Sequence, residues 1–424
     1  MNRIVLIGNG FDLAHGFPTR YEDFINWYWE QWGGKLRTSS NKVEQDLFCS
    51  FVLKDNIGLA GWYIVWTYRY QILLKQYNNR ELAEFAIGDT EMCDFKIHSV
   101  FFSRICKAIE SKGWVDIERE YYDLLREVVL KPEECDYTIS EVNNHLRYLQ
   151  ELLTQYLSSI TNVAISCNDQ IRRQIFGGLR KKDISISQLP AYYDYVDYLI
   201  NHADEEYKSL LYRYGIDSSG RFFLTDEIKE LQKFSKSTEI EEVYLKDLIL
   251  PANIMLLNFN YSVIADQYGN TKVATLNHIH GDLNNPTSII FGYGDELDDD
   301  YKEFLKQTDK EGLRNIKSIK YLESNMYRSL LRFIESEPYQ VYIMGHSCGN
   351  SDRTLLNTLF EHKNCVSIKP FYYQKEDGSD NYMEIVQNIC RNFTDMKLMR
   401  DRVVNKTFCE PLPQTTTNGT TDKC

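Results

Sequence analysis

The chain has no paired or clustered cysteines. Its ten cysteines, at 49, 93, 106, 135, 167, 348, 365, 390, 409 and 424, stand singly, with no CxxC and no Cys/His group at zinc spacing. That excludes a zinc ribbon and a disulfide framework, and in a reducing compartment it leaves free thiols that pack as small hydrophobes. Positive charge is also short. Lys+Arg 48 against Asp+Glu 61 gives a net charge of -13, which argues against DNA or RNA as the primary partner, a local basic groove aside. Long apolar runs are missing too. The richest window, GLAGWYIVWTYRYQILL at 58–74, is interrupted by Arg69 and several tyrosines, so it reads as a buried or interface helix and not a membrane span. The opening MNRIVLIGNGFD carries neither a long apolar stretch nor a small-residue cleavage site, and the expected location is cytoplasmic.

What the chain does have is aromatic and apolar mass. Hydrophobic residues make up 43% and aromatics 13%, with 30 Tyr and 21 Phe, far beyond a disordered composition. Residues 1–28 open with IVLIG, a buried strand feeding a tight turn. Residues 29–247 are dominated by helical periods, as in 140–160, where Val142, Leu146, Leu149, Leu153, Leu157 and Ile160 form one stripe. Similar patterns cover 118–130, 192–200 and 227–234. From 248 to 397 short apolar runs (254–261, 274–281, 288–296, 340–347 and 366–373) alternate with helical patterns at 301–335, 352–362 and 382–393. That alternation predicts an α/β fold with a parallel sheet in 248–397, set apart from the opening strand in 1–28 by the helical region 29–247, and the Pro/Thr-rich tail at 410–424 reads as disordered. Parallel sheets bind ligands at the carboxyl ends of their strands.

Four such ends carry polar residues. At Gly8-Asn9-Gly10-Phe11-Asp12 the glycines permit either a close approach to phosphate or no more than a strand-to-helix corner. At 258–262, NFNYS, Asn258 and Asn260 either form a turn or offer amides to sugar hydroxyls. At 278–282, HIHGD, strand alternation would set His278 and His280 on one face, suited to a metal or to a general base, with His278 read as structural. At 345–352, GHSCGNSD, glycines and hydroxyls suit a ribose or phosphate, while Ser351 reads as a helix N-cap and Asp352 as a first-turn acid. The acidic run 295–300 reads as a solvated loop.

In spacing, GNGFDLAHGFP (8–18) resembles the sirtuin opening motif through Gly8, Gly10, Gly16 and Pro18. NFNYS resembles the TxNYD element of sirtuin-like NAD hydrolases, and His280-Gly281 their catalytic His-Gly. With FGYGDE and GHSxxxSD, the same set is similar to the bacterial abortive-infection AbiH family. The resemblance covers both ends of the chain and little of the helical middle. It implies a Rossmann-like, sirtuin-like NAD-binding domain built from 1–28 and 248–397, with a helical insertion at 29–247. Gly8, Asn9, Gly10, Phe11, Asp12 and Gly16 would form the first cofactor loop, Gly345 and Ser347 would face the ribose, and Asn260 and His280 would be catalytic. The implied activity is hydrolysis of NAD to ADP-ribose and nicotinamide, with no metal, in phage defence. A homo-oligomer or a phage-derived trigger stays open as a partner. Without the zinc ribbon, deacetylation is not implied. Asp12, where sirtuins have Ser, would repel a diphosphate unless an amide or cation intervenes. A non-catalytic NAD or ADP-ribose sensor and a metal-dependent phosphoesterase or nuclease are the competing expectations.

Overall fold

A computed structural model of the chain describes residues 1–38, 43–53, 76–88, 93–112, 116–161, 166–202, 206, 208–215, 249–298, 300–307 and 310–415. Its strands are β1 (Asn2–Ile7), β2 (Val43–Gln45), β3 (Cys49–Leu53), β4 (Cys93–Ile97), β5 (Ile254–Asn258), β6 (Ala274–His278), β7 (Tyr339–Met344) and β8 (Cys365–Phe371). They divide between two compact units. One comprises Met1–Pro18, Ile160–Asp298 and Ile316–Cys424, the other Thr19–Ser159 and Asp299–Asn315. The first unit therefore takes in the helix Asp169–Phe176, inside the segment expected to be insertion, because Ile171 and Ile175 pack with Val5 and Ile7 of β1.

The first unit is Rossmann-like. Its five parallel strands run in the order β6-β5-β1-β7-β8. β1, β5, β7 and β8 are buried along their whole length, which explains why the sequence shows continuous apolar runs there and no alternation. On one face Ile4, Leu6, Val341 and Ile343 meet Leu330 and Ile334 of helix Met326–Ser336, Leu355, Leu356 and Leu359 of helix Arg353–Glu361, and Ile385 and Ile389 of helix Tyr382–Arg391. On the other, Val5, Ile7, Leu256 and Met344 meet Phe11, Ile171, Ile175 and Tyr268. Each fully buried aliphatic side chain contributes about 1.5–3 kcal/mol. The order reverses at β1, between β5 and β7, and such a switch point opens a crevice at the carboxyl ends of the strands.

Several expectations are corrected here. Residues 288–296 form no strand: Pro286–Ser288 is a 3-10 turn, and after it the segment makes an isolated β-bridge from Tyr293 to Ile316 and no ladder. Ile289, Ile290 and Phe291 are buried without joining a ladder, and their apolar run imitated a strand. Residues 301–335 are not one helix but Tyr301–Lys306, Lys317–Lys320 and Met326–Ser336, joined by 3-10 turns and loops. β6 ends at His278, so His280 lies in the turn beyond it and does not share a strand face with His278. Residues 410–415 of the expected disordered tail are packed: Leu412 is buried, its amide donates to the Tyr372 carbonyl, and the Thr415 amide donates to the Ala14 carbonyl.

The second unit holds the helices Tyr21–Thr38, Asn79–Gly88, Val100–Lys112, Ile117–Leu130 and Ile139–Thr161. In the last of these Val142, Leu146, Leu149, Leu153 and Leu157 are buried, as their spacing requires. An antiparallel sheet, β2-β3-β4, also occurs here and was not expected. Its strands are short, and Val43, Val52 and Ile97 face solvent, so the usual apolar signal is weak. Trp29 and Trp32 pack on Phe95 of β4, the rings of Tyr28, Trp29 and Phe48 gather on Phe102, and the Trp32 indole donates to Asp46. The expected helices at 58–74 and 227–234 lie outside the described residues.

Among the described residues no helix is long and apolar enough to cross a membrane. Eight described cysteines are free thiols. Cys49, Cys348, Cys365 and Cys409 are buried, while the other four are partly exposed.

Candidate functional site

The polar ends of β1, β5, β6 and β7 converge at the switch point. Gly345 sits at φ +77, and a Cβ there would lie 2.1 Å from the Phe11 nitrogen; a Cβ on Gly8 would lie 2.5 Å from Cα of His346. The glycines let the loops after β1 and β7 touch backbone to backbone. The Gly10 amide donates to the Gly345 carbonyl at 2.8 Å, Gly8 to Met344 at 3.3 Å, and Phe11 to Gly8 at 2.8 Å. Those three amides serve the protein itself and do not form a phosphate cradle.

Beyond β5, Asn258 is fully buried and organises its own turn. Its Oδ1 accepts from the Asn260 amide at 3.0 Å, and its Nδ2 meets the Ser262 carbonyl and His278 Nδ1. This is the turn-forming role of an Asn. His278 is tied to Asp266 at 3.0 Å, as expected of a structural histidine. Asn260 is only partly buried, and its Nδ2 donates to the Gly8 carbonyl at 2.9 Å and to Asp12 Oδ1 at 2.8 Å. Its Oδ1 makes no hydrogen bond among the described residues.

Asp12 is 2% exposed and accepts from Ser262 Oγ at 2.5 Å. Burial pushes its carboxyl up to about 7, against the opposing hydrogen bonds from Ser262 and Asn260. A group with that value exchanges its proton near neutral pH, so the carboxylate expected beside a diphosphate is instead a buried acid anchoring two side chains.

A second cluster centres on Asp352. Lys317 Nζ lies 2.8 Å from Asp352 Oδ1, His280 Nε2 3.3 Å from the same oxygen, and His346 Nε2 3.6 Å from Oδ2. All four side chains are at most 9% exposed. Burial opposes ionisation of Asp352, yet the Lys317 charge and the two histidines hold its carboxyl well below the usual range. Burial, reinforced by the Lys317 charge, lowers the His280 value, so the imidazole is neutral at physiological pH. Tyr321 OH also reaches His280 Nε2 at 3.2 Å, and the Phe259 ring lies 5.2 Å from the His280 ring and 4.2 Å from that of His346. With Nε2–H turned to Asp352, Nδ1 keeps its lone pair, the arrangement of a histidine base oriented by a carboxylate.

A family model described as Bacteriophage abortive infection AbiH matches residues 4–374. The chain belongs to that family. Its role is accordingly phage defence by abortive infection. No curated protein and no solved structure matches it.

In this AbiH protein the expected site residues fall into distinct places. Asn260, Asp12, Gly8, Gly10, Gly345 and His280 gather at the strand ends. Phe11 is core, its ring packed on His15 and Tyr268. Asn9 and Ser347 are exposed, and Gly16 lies past the carboxyl end of the short helix Asn9–Ala14. Asp352 occupies the N-cap position of helix Arg353–Glu361 but caps nothing, its carboxylate being drawn to Lys317 and the histidines. Asp295, expected in a solvated loop, is 3% exposed and pairs with Arg353 at 3.3 Å.

Lys317, His346 and Tyr321 were missed as site residues. His346 stood in a motif already noted, whereas Lys317 and Tyr321 carried no signal, being single residues inside a presumed helix. Among the described residues no group of three or more His, Cys, Asp or Glu is arranged to hold a metal ion. At Asp352 the Lys317 ammonium stands where a cation would.

Proposed function

We propose that the strand-end site hydrolyses NAD, taken as substrate, to ADP-ribose and nicotinamide, so that an infected cell stops growing. The observation that carries the reading is the pairing of a partly exposed carboxamide, Asn260, with a buried acid, Asp12, at the switch point of a Rossmann-like sheet. Asp12 and Gly8 fix the Asn260 Nδ2, and Oδ1 accepts from a ribose hydroxyl. Breaking the nicotinamide–ribose bond develops an oxocarbenium-like ribosyl cation, as in glycoside cleavage. Nicotinamide leaves with the bonding electrons as a neutral molecule and needs no acid. Water adds to the ribosyl carbon, and neutral His280, oriented by Asp352, takes the proton that water gives up. In this reading the glycines serve the contact between loops, and the diphosphate is held elsewhere.

The test is nicotinamide release from NAD by purified protein, with and without phage lysate, beside Asn260→Ala and His280→Ala. Turnover lost in both folded variants supports the reading, and full turnover in either removes that residue from it. The second reading, a nucleotide sensor, is favoured by the 2% exposure of His280 among aromatic rings. Saturable NAD binding with no nicotinamide under either condition would select it.

A further inference from the structure

Away from these strand ends, the first unit contains a cleft of about 210 Å³ whose lining includes Arg173, Gln174, Gly177, Arg180, Lys369 and Glu410. Its charge runs against the chain, which carries -13 in all. Three cations, Arg173, Arg180 and Lys369, line it together with the carboxylate of Glu410. A fourth, Arg3, lies under the floor: its guanidinium donates to the Gly177 carbonyl at 2.6 Å and the Gly178 carbonyl at 3.1 Å. Lys369 is 1% exposed and pairs with the equally buried Asp183 at 2.8 Å, so its ammonium is held in place.

Two of the cations converge on one point. Arg180 Nη1 donates to Glu410 Oε1, and Lys369 Nζ stands 3.9 Å from that same oxygen. Arg173 is exposed at the mouth and pairs with no carboxylate among the described residues. We propose that this cleft binds a phosphate group, free or as a monoester, and that the Glu410 carboxylate occupies the anion position until the phosphate displaces it. A phosphate has more acceptor oxygens than a carboxylate. It can engage Arg180 through two N–H bonds and still accept from Lys369 and Arg173, whereas Glu410 contacts the pair through one oxygen. With Glu410 displaced, Lys369 keeps its pair with Asp183 while Arg180 is released to the incoming anion.

The competitor is tethered nearby. Pro411 accepts from Gln174 Nε2 at 3.3 Å, Leu412 is buried, and the segment bridges Tyr372 at Pro411. Glu410 therefore competes at a high local concentration, and removing its charge should raise phosphate affinity.

The experiment is titration calorimetry of inorganic phosphate, and separately of adenosine monophosphate, into the full chain at low salt. Saturable binding is expected. Glu410→Gln should tighten it by about tenfold, while Arg180→Gln and Arg173→Gln should each weaken it by about tenfold or more. Arg173, being exposed, provides the test should Arg180→Gln fail to fold. Tighter binding of the nucleotide would identify a monoester as the ligand, and equal affinity would identify the free ion. No saturable binding to either wild type or Glu410→Gln overturns the proposal, and so does an affinity that none of the three substitutions moves.

Discussion

Lys317 and Asp352 meet at 2.8 Å in a setting where neither side chain is more than 9% exposed, and the Lys317 charge there reinforces the burial that lowers the value of neighbouring His280. A buried pair of this kind is weak as net stabilisation, but it is costly to break on one side. Asp352→Asn leaves the ammonium without its counter-charge, and a loss of about 3–5 kcal/mol is expected. The double variant Lys317→Met, Asp352→Asn should recover part of it. Urea unfolding of the three proteins checks this, and equal loss in single and double variants would show that the pair is not coupled.

Asp12 predicts a pH dependence of stability. The folded carboxyl is raised from its ordinary 3.8 to about 7, so between those values the unfolded chain has released a proton that the folded chain still holds. Stability from this group therefore falls as pH rises from about 4 to 7, by roughly 4 kcal/mol, and is level above that. Denaturation of wild type and Asp12→Asn across that range isolates the effect. Parallel curves would mean that Asp12 is ionised in the folded protein.

The two acids and bases of the site also separate by pH–rate profile. If His280 is the base, its lowered value puts the acid limb of NAD turnover below pH 6.5. An acid limb near 7 would transfer that role to Asp12, the group raised to about that value.

Two glycines with positive φ should respond differently to alanine. Gly345→Ala drives a Cβ to within 2.1 Å of backbone and is expected to abolish folding or cost more than about 4 kcal/mol. Gly16 has φ +82 but nothing within 4 Å of its Cβ position, so Gly16→Ala should cost only about 1–2 kcal/mol. Melting temperatures of the two variants decide, and similar losses would mean that the loops leave room for a Cβ at position 345.

In the second unit, Leu149→Ala removes a fully buried side chain from helix Ile139–Thr161 and should cost about 2–5 kcal/mol. Glu151→Ala, exposed on the same helix, should change stability by no more than about 0.5 kcal/mol. Equal effects would move Leu149 out of the core.

Where a segment's fate follows from its own residues, the sequence was sufficient. β1, β5, β7 and β8 are buried along their whole length in a core with two faces, and a run such as IMLL can be buried in few other ways. Helix Ile139–Thr161 is legible because its stripe repeats over six turns. The four polar strand ends were legible too, since a parallel sheet collects its carboxyl ends at one edge. Ile289, Ile290 and Phe291 were misread because burial and strand pairing leave the same apolar trace. The role of Asp352 was misread because a carboxylate beside a helix start has a local use, and the stronger partner, Lys317, is 35 residues away in sequence. The sequence by itself thus determined the strands β1, β5, β6, β7 and β8, some of the helices that cover them and the strand ends where chemistry gathers, because periodicity and turn residues act over a few positions. Only the tertiary structure decided that Gly8 and Gly345 face each other, that Asp12 is buried to a value of about 7, and that Lys317 and Asp352 share one pocket with His280. Those outcomes depend on which distant backbones touch and on how much water is excluded where they do.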